Sequence, residues 1–129
     1  MIYGVGTDLV DSERIREGLA RFGEPYAARM LAPAERAGYA ASRDPARFLA
    51  KSFAAKEAFA KAAGTGLRAP VSLRNMAVLR DAHGKPHVEC AADLARWLEA
   101  RGVTAHHLSL SDEDDLVLAF AVLERADPS

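Results

Sequence analysis

The densest chemistry in this 129-residue chain lies in "FLAKSFAAKEAFAKAAGTGL", residues 48–67. On a helix, Glu57 and Lys61 stand one turn apart and Gly64-Thr65-Gly66 follows immediately. Two interpretations are open at this point. An exposed i,i+4 ion pair would contribute only about 0.2–0.5 kcal/mol, and the Gly-Thr-Gly would be no more than a helix cap. Alternatively, Lys61 and the loop amides converge on an anion such as a phosphate. Ala50 and Ala54 fall on the same side as Glu57, opposite Phe48, Ala55 and Phe59, so another element could pack closely there.

A second carboxylate stands in the opening run "MIYGVGTDLV". Strand alternation puts Gly4, Gly6 and Asp8 on one face with Ile2 and Val10. Asp8 can serve as a turn or cap residue, a task that Asp11 could share. Glycines inside a strand also mark close approach by another backbone, here a helix with a row of small residues. That approach would carry Glu57 towards Asp8. Two carboxylates from separate elements suit Mg²⁺, which takes hard oxygens and completes its shell with substrate phosphate and water.

The elements that must position these groups follow from pattern and punctuation. A strand over about 2–10 leads through Asp11 into a helix to about residue 22, broken by Gly23 and Pro25. A shorter helix follows Pro33, and the longest runs from Pro45 to Ala63. "NMAVLRD" and "HVEC" read as strands around the turn "AHGKP", and "AADLARWLEARG" as an amphipathic helix. A hairpin closes the chain, with arms "HHLSLS" and "LVLAFAVLE" around Asp112 to Asp115. Both alternating sets of the last arm are apolar, so that strand needs cover on both faces.

The order of these elements is expected to build an α+β fold, and length and composition, with 50% of residues hydrophobic and 27% charged, fit one domain over residues 1–126 with a polar tail at 127–129. A formal net charge of -1 provides no field for nucleic acid or anionic membrane. Cys90 is the only cysteine, which excludes an internal disulfide and suits a buried, inert thiol. No apolar run approaches the roughly 18 residues of a membrane span and the N-terminus lacks a signal-peptide pattern, so a cytoplasmic location is expected.

"GVGTDLVDSERI", "FAAKEAFAKAAGTGL", "GKP" and "HLSLSDE" occur in an order and spacing that resembles the holo-[acyl-carrier-protein] synthases, the small single-domain branch of the 4'-phosphopantetheinyl transferases. The resemblance spans nearly the whole chain. It implies an antiparallel sheet packed on a long helix, and Mg²⁺-dependent transfer of 4'-phosphopantetheine from coenzyme A to a serine of apo acyl carrier protein. Adenosine 3',5'-bisphosphate leaves. It further implies a homotrimer, with clefts between subunits completing the coenzyme A sites, and a role in fatty acid biosynthesis.

Carried over by position, the resemblance makes Asp8 and Glu57 the metal ligands and, with Lys61, the catalytic set. Lys56, Lys61, Gly64, Thr65, Gly66, Pro86 and His107 then fall among the coenzyme A contacts. Either Glu57 or a water on the metal would accept the serine proton. Arg14 and Arg21, on one face of the first helix, would receive the acidic carrier. Two positions depart from many relatives: Ser52 stands where arginine is common and Asp112 where histidine is common. Two other functions compatible with phosphate binding are a non-catalytic nucleotide- or phosphate-binding regulatory module and a metal-dependent phosphohydrolase.

Overall fold

The computed structural model describes residues 1–127, so 128 and 129 of the expected polar tail lie outside the described residues. The described part of that tail is anchored: Asp127 pairs with the N-terminal ammonium at 3.1 Å.

Strand β1 (Ile2–Asp11) runs into helix α1 (Ser12–Phe22), whose N-cap Asp11 accepts a hydrogen bond from the Glu13 amide at 2.9 Å. Helix α2 (Glu24–Met30) follows at once, where the sequence suggested only a break. Pro25 falls in its first turn, where a missing N–H costs nothing, so Gly23-Glu24-Pro25 ends one helix and starts another. Pro33–Glu35 forms a 3-10 turn that leads into the short helix α3 (Arg36–Ala41).

Helix α4 (Pro45–Ala63) has the bounds that its sequence predicts, from a capping Asp44 to the left-handed Gly64 at φ 84°. Its two-faced character is another matter. Twelve of its residues are buried, spread around the whole circumference, because this helix is the axis of the molecule.

Strands β2 (Met76–Arg80) and β3 (Pro86–Cys90) form a small antiparallel sheet, helix α5 (Ala92–Ala100) follows, and β4 (Val103–Glu113) and β5 (Leu116–Arg125) make the closing hairpin. The main sheet is antiparallel in the order β1-β5-β4. This is the α+β architecture of a sheet on a long helix. One face of β5, Val117, Ala119, Ala121 and Leu123, is buried towards α4; Leu118 and Phe120, on the other face, are exposed.

Glycines 4 and 6 explain how close α4 comes. A Cβ at Gly4 would overlap the Ala62 carbonyl, and one at Gly6 would overlap the Ala58 carbonyl and stand 2.9 Å from the Lys61 Cβ. The row that fills the glycine lane is thus Ala58 and Ala62, one and two turns beyond Ala54, and not Ala50 and Ala54 themselves.

Candidate active site

Because α4 lies against the glycines of β1, the two carboxylates meet at one opening. Asp8, Glu57, Arg14, Tyr26, Met30 and Phe53 line a cleft of about 500 Å³ between β1, α1, α2 and α4. Lys61, one turn beyond Glu57, extends its ammonium to Asp8 Oδ1 at 3.2 Å and to the Thr7 carbonyl at 2.9 Å. Lys61 pairs with Asp8 across the two elements, not with Glu57 along the helix as an isolated helical pair would.

Burial holds the Glu57 carboxyl above the usual carboxylate range, the negative charge of Asp8 adds to the effect, and Lys61 opposes it. A carboxyl raised by burial and by a neighbouring carboxylate in the same cleft is a group whose ionised form a hard divalent cation would favour. Among the described residues no group of three or more His, Cys, Asp or Glu side chains could hold a metal ion. The candidate donors for a cation are therefore the two carboxylates of Asp8 and Glu57 alone.

The Gly-Thr-Gly loop is a cap before it is anything else. The Gly64 amide donates to the Lys61 carbonyl at 3.0 Å, and those of Thr65 and Gly66 to the Ala60 carbonyl at 3.3 and 3.2 Å. These amides are spent on the last turn of α4, so the expectation that they converge on an anion gives way to helix capping. The loop's remaining offering to a ligand is its low side-chain bulk beside Lys61.

Lys56 is a correction of a different kind. It is fully buried and bonded to Glu35 and to the Met30 carbonyl, so it does not reach a coenzyme A phosphate. Ser52 is also interior and donates to Glu35 at 2.6 Å. Asp112 pairs with Arg47 at 2.8 Å and lies 3.9 Å from Lys51, which ties the β4–β5 turn to the start of α4.

Pro86 and His107 are apart from the cleft. Pro86 opens β3 in the small sheet, opposite Arg80. His107 pairs in register with Val122 on the sheet face turned away from α4, and its Nε2 lies 2.9 Å from Glu124 Oε2. Arg14 lines the cleft itself, while Arg21 sits over the exposed Phe22 ring at 5.2 Å. Cys90 is only half-buried, yet burial, helped by Glu89, pushes its thiol up to about 11, consistent with an inert thiol.

Tyr26, Met30 and Phe53 are among the cleft residues that went unforeseen. Tyr26 and Met30 belong to α2, and the signal that could have disclosed them was the proline in its first turn. Gly18 supplied a further hint, because any Cβ there would collide with the Tyr26 ring.

The 4'-phosphopantetheinyl transferase superfamily matches residues 4–121. A holo-[acyl-carrier-protein] synthase of Thiobacillus denitrificans is 71% identical over 126 residues, covering 98% of this chain and 96% of that protein. The crystal structure of holo-[acyl-carrier-protein] synthase from Neisseria meningitidis superposes with a TM-score of 0.94 at 49% identity, covering 97% of this chain and 100% of that one. A Bacillus anthracis holo-(acyl-carrier-protein) synthase, solved in complex with CoA (3',5'-ADP), gives a TM-score of 0.80 at 33% identity over 98% of this chain and 99% of that one.

Proposed function

The chain belongs to the 4'-phosphopantetheinyl transferase superfamily, and we propose that its cleft transfers 4'-phosphopantetheine from coenzyme A to a serine of apo acyl carrier protein. The observation that carries this function is the meeting of Asp8 and Glu57 in one cleft, with the Lys61 ammonium bonded to Asp8, on a fold shared with a relative solved in complex with CoA.

In the reaction the serine hydroxyl gives up its proton, to Glu57 or to water, its oxygen forms a bond to the phosphorus that carries pantetheine, the bond from that phosphorus to the bridging pyrophosphate oxygen breaks, and adenosine 3',5'-bisphosphate leaves. Negative charge grows on the departing oxygen. Lys61, fixed by Asp8 and the Thr7 carbonyl, supplies a preorganised cation beside it. Asp8 and Glu57 would hold Mg²⁺, which when bound neutralises pyrophosphate charge. Arg14, at the cleft edge, and Arg21, further along α1, are suited to draw in an acidic carrier. The low bulk of Gly64, Thr65 and Gly66 leaves room for the phosphates next to Lys61.

Pro86 and His107 serve coenzyme A in this scheme only if a neighbouring copy brings them to the cleft. The exposed apolar row of Val5, Leu9, Leu118 and Phe120 supports such an assembly, because these residues form one continuous face of the main sheet. A homotrimer buries that face and leaves a cleft at each subunit boundary. Among the described residues no helix is long and apolar enough to cross a membrane. The reaction belongs in the cytoplasm, where it equips the carrier for fatty acid synthesis.

The deciding experiment is covalent. Apo carrier protein incubated with coenzyme A and Mg²⁺ should gain the mass of one phosphopantetheine. A carrier of unchanged mass alongside tight nucleotide binding would favour the regulatory module, and release of phosphate without transfer would favour a phosphohydrolase. Sedimentation at micromolar concentration should report a trimer; a fully active monomer would remove the shared-cleft part of the proposal.

A further inference from the structure

A second group of titratable side chains has no part in the reaction just described. Lys56 and Glu35 are 0% and 1% exposed. The Lys56 ammonium donates to Glu35 Oε1 at 2.5 Å and to the Met30 carbonyl at 2.6 Å. Glu35 Oε1 also accepts from the Ala32 amide at 2.9 Å, and Oε2 accepts from the Ser52 hydroxyl at 2.6 Å. Among the described residues no buried side-chain nitrogen or oxygen is left without a partner.

A buried ion pair is a weak source of net stability. Stripping water from two charges offsets most of what their attraction returns, and apolar residues of similar size often hold a fold as well or better. What an apolar pair cannot supply is direction. Each bond here fixes one element against another. Lys56 and Ser52 belong to α4, and Lys56 immediately precedes Glu57. Their partners, the Met30 carbonyl and the carboxylate that holds the Ala32 amide, belong to the chain leaving α2. Met30 itself lines the cleft with Glu57 and Asp8.

We infer that Lys56 and Glu35 are positioning residues that lock the α2 wall of the cleft, at Met30, to the turn of α4 that presents Glu57. The inference rests on the transfer reaction proposed above, in which the carrier serine enters between those walls. Displacement of about 1 Å at reacting groups can cost about a hundredfold in rate, so a directional tie is what such a site needs.

The test is Lys56→Met combined with Glu35→Gln, which removes both charges and keeps an acceptor for the Ala32 amide. Transfer from coenzyme A to apo carrier is followed by intact mass, with kcat and KM for coenzyme A measured at a temperature where thermal unfolding shows the variant folded. The expected result is a kcat at least about tenfold lower with KM for coenzyme A within about twofold of the parent. Ser52→Ala, which leaves the ion pair but cuts one tie to Glu35, should lower kcat about threefold and is informative if the double variant does not fold. An active parent with a folded variant at parental kcat overturns the inference, as does a loss that only tracks the unfolded fraction. A parent that cannot modify the carrier at all overturns the transfer reaction instead.

Discussion

Lys61 and Asp8 come from elements 53 positions apart in sequence, yet the ammonium lies 3.2 Å from Asp8 Oδ1 and bonds the neighbouring Thr7 carbonyl as well. Lys61 is half exposed, with side-chain accessibility of 50%, so the pair contributes little to holding the fold. Its consequence is local: the Lys61 cation is held against the Asp8 carboxylate, which lines the cleft with Glu57.

Asp8→Asn and Glu57→Gln keep the shape of each side chain and remove its charge. Each should lower the rate of carrier modification at least about a hundredfold, equivalent to about 2.7 kcal/mol of transition-state stabilisation. Thermal unfolding should move little, since the Lys61 pair is solvent-screened. Carrier modification across a Mg²⁺ titration checks both points, and near-parental turnover at low Mg²⁺ by either variant would dismantle the shared carboxylate site.

Gly6→Ala tests the lane that brings α4 to β1. The added methyl meets the Ala58 carbonyl and the Ala62 amide, which are backbone and cannot rotate aside. The helix must shift, at a cost towards the upper end of the about 1–3 kcal/mol typical of overpacking, and Glu57 shifts with it. Urea unfolding should show the loss of stability. Activity per folded molecule should fall too, and extra Mg²⁺ should not restore it. A variant with parental stability would mean that the lane is looser than the geometry indicates.

Physical causes separate what was legible in the sequence from what was not. Helix α4 was legible to the residue because Asp44-Pro45 and Gly64 bracket it with local capping chemistry. The approach of α4 to β1 was legible because two glycines alternate on one strand face. Helix α2 was hidden, since Gly23 and Pro25 punctuate a chain equally well when they end a helix and when they begin one. The Glu35–Lys56–Ser52 network was hidden for a deeper reason. Ion pairing between residues 21 positions apart leaves no periodic trace, and charged residues are seldom fully buried. Lys56 consequently looked like a ligand contact when its partner was internal. The amides of Gly64-Thr65-Gly66 illustrate the same limit, because one short motif serves an anion or a helix end according to which carbonyls it meets.

Reversing Arg14 and Arg21 to glutamate tests the docking face of α1. Charges at such a surface act mainly on encounter, so the KM for an acidic carrier should rise about tenfold at low salt, while KM for coenzyme A changes much less. The difference should shrink as ionic strength rises and screening shortens the reach of both arginines. Steady-state kinetics at low and high salt decide it. Carrier kinetics unaltered at low salt would place docking elsewhere.

His106 gives the fold a pH dependence whose sign can be worked out. Its Nε2 accepts from the Val88 amide at 3.0 Å, which joins β4 to β3, and its ring packs edge-on to Phe59 with centroids 5.7 Å apart. Burial, and then the charges of His87 and His107, hold its pKa below the ordinary histidine value of 6.5. Protonation of Nε2 would also forfeit the Val88 bond, since a protonated nitrogen cannot accept. As pH falls below 6.5 the unfolded chain takes up a proton at this position while the native state does not. The native state is therefore fully favoured above 6.5 and loses ground as pH drops towards the depressed native value, by at most about 1.4 kcal/mol per pH unit. Urea unfolding between pH 7.5 and 5 should record that decline. His106→Gln, whose amide oxygen can accept from Val88 without titrating, should show a shallower slope over the same interval, although it is less stable at pH 7.5. Equal slopes for the parent and the variant would assign the decline to other groups.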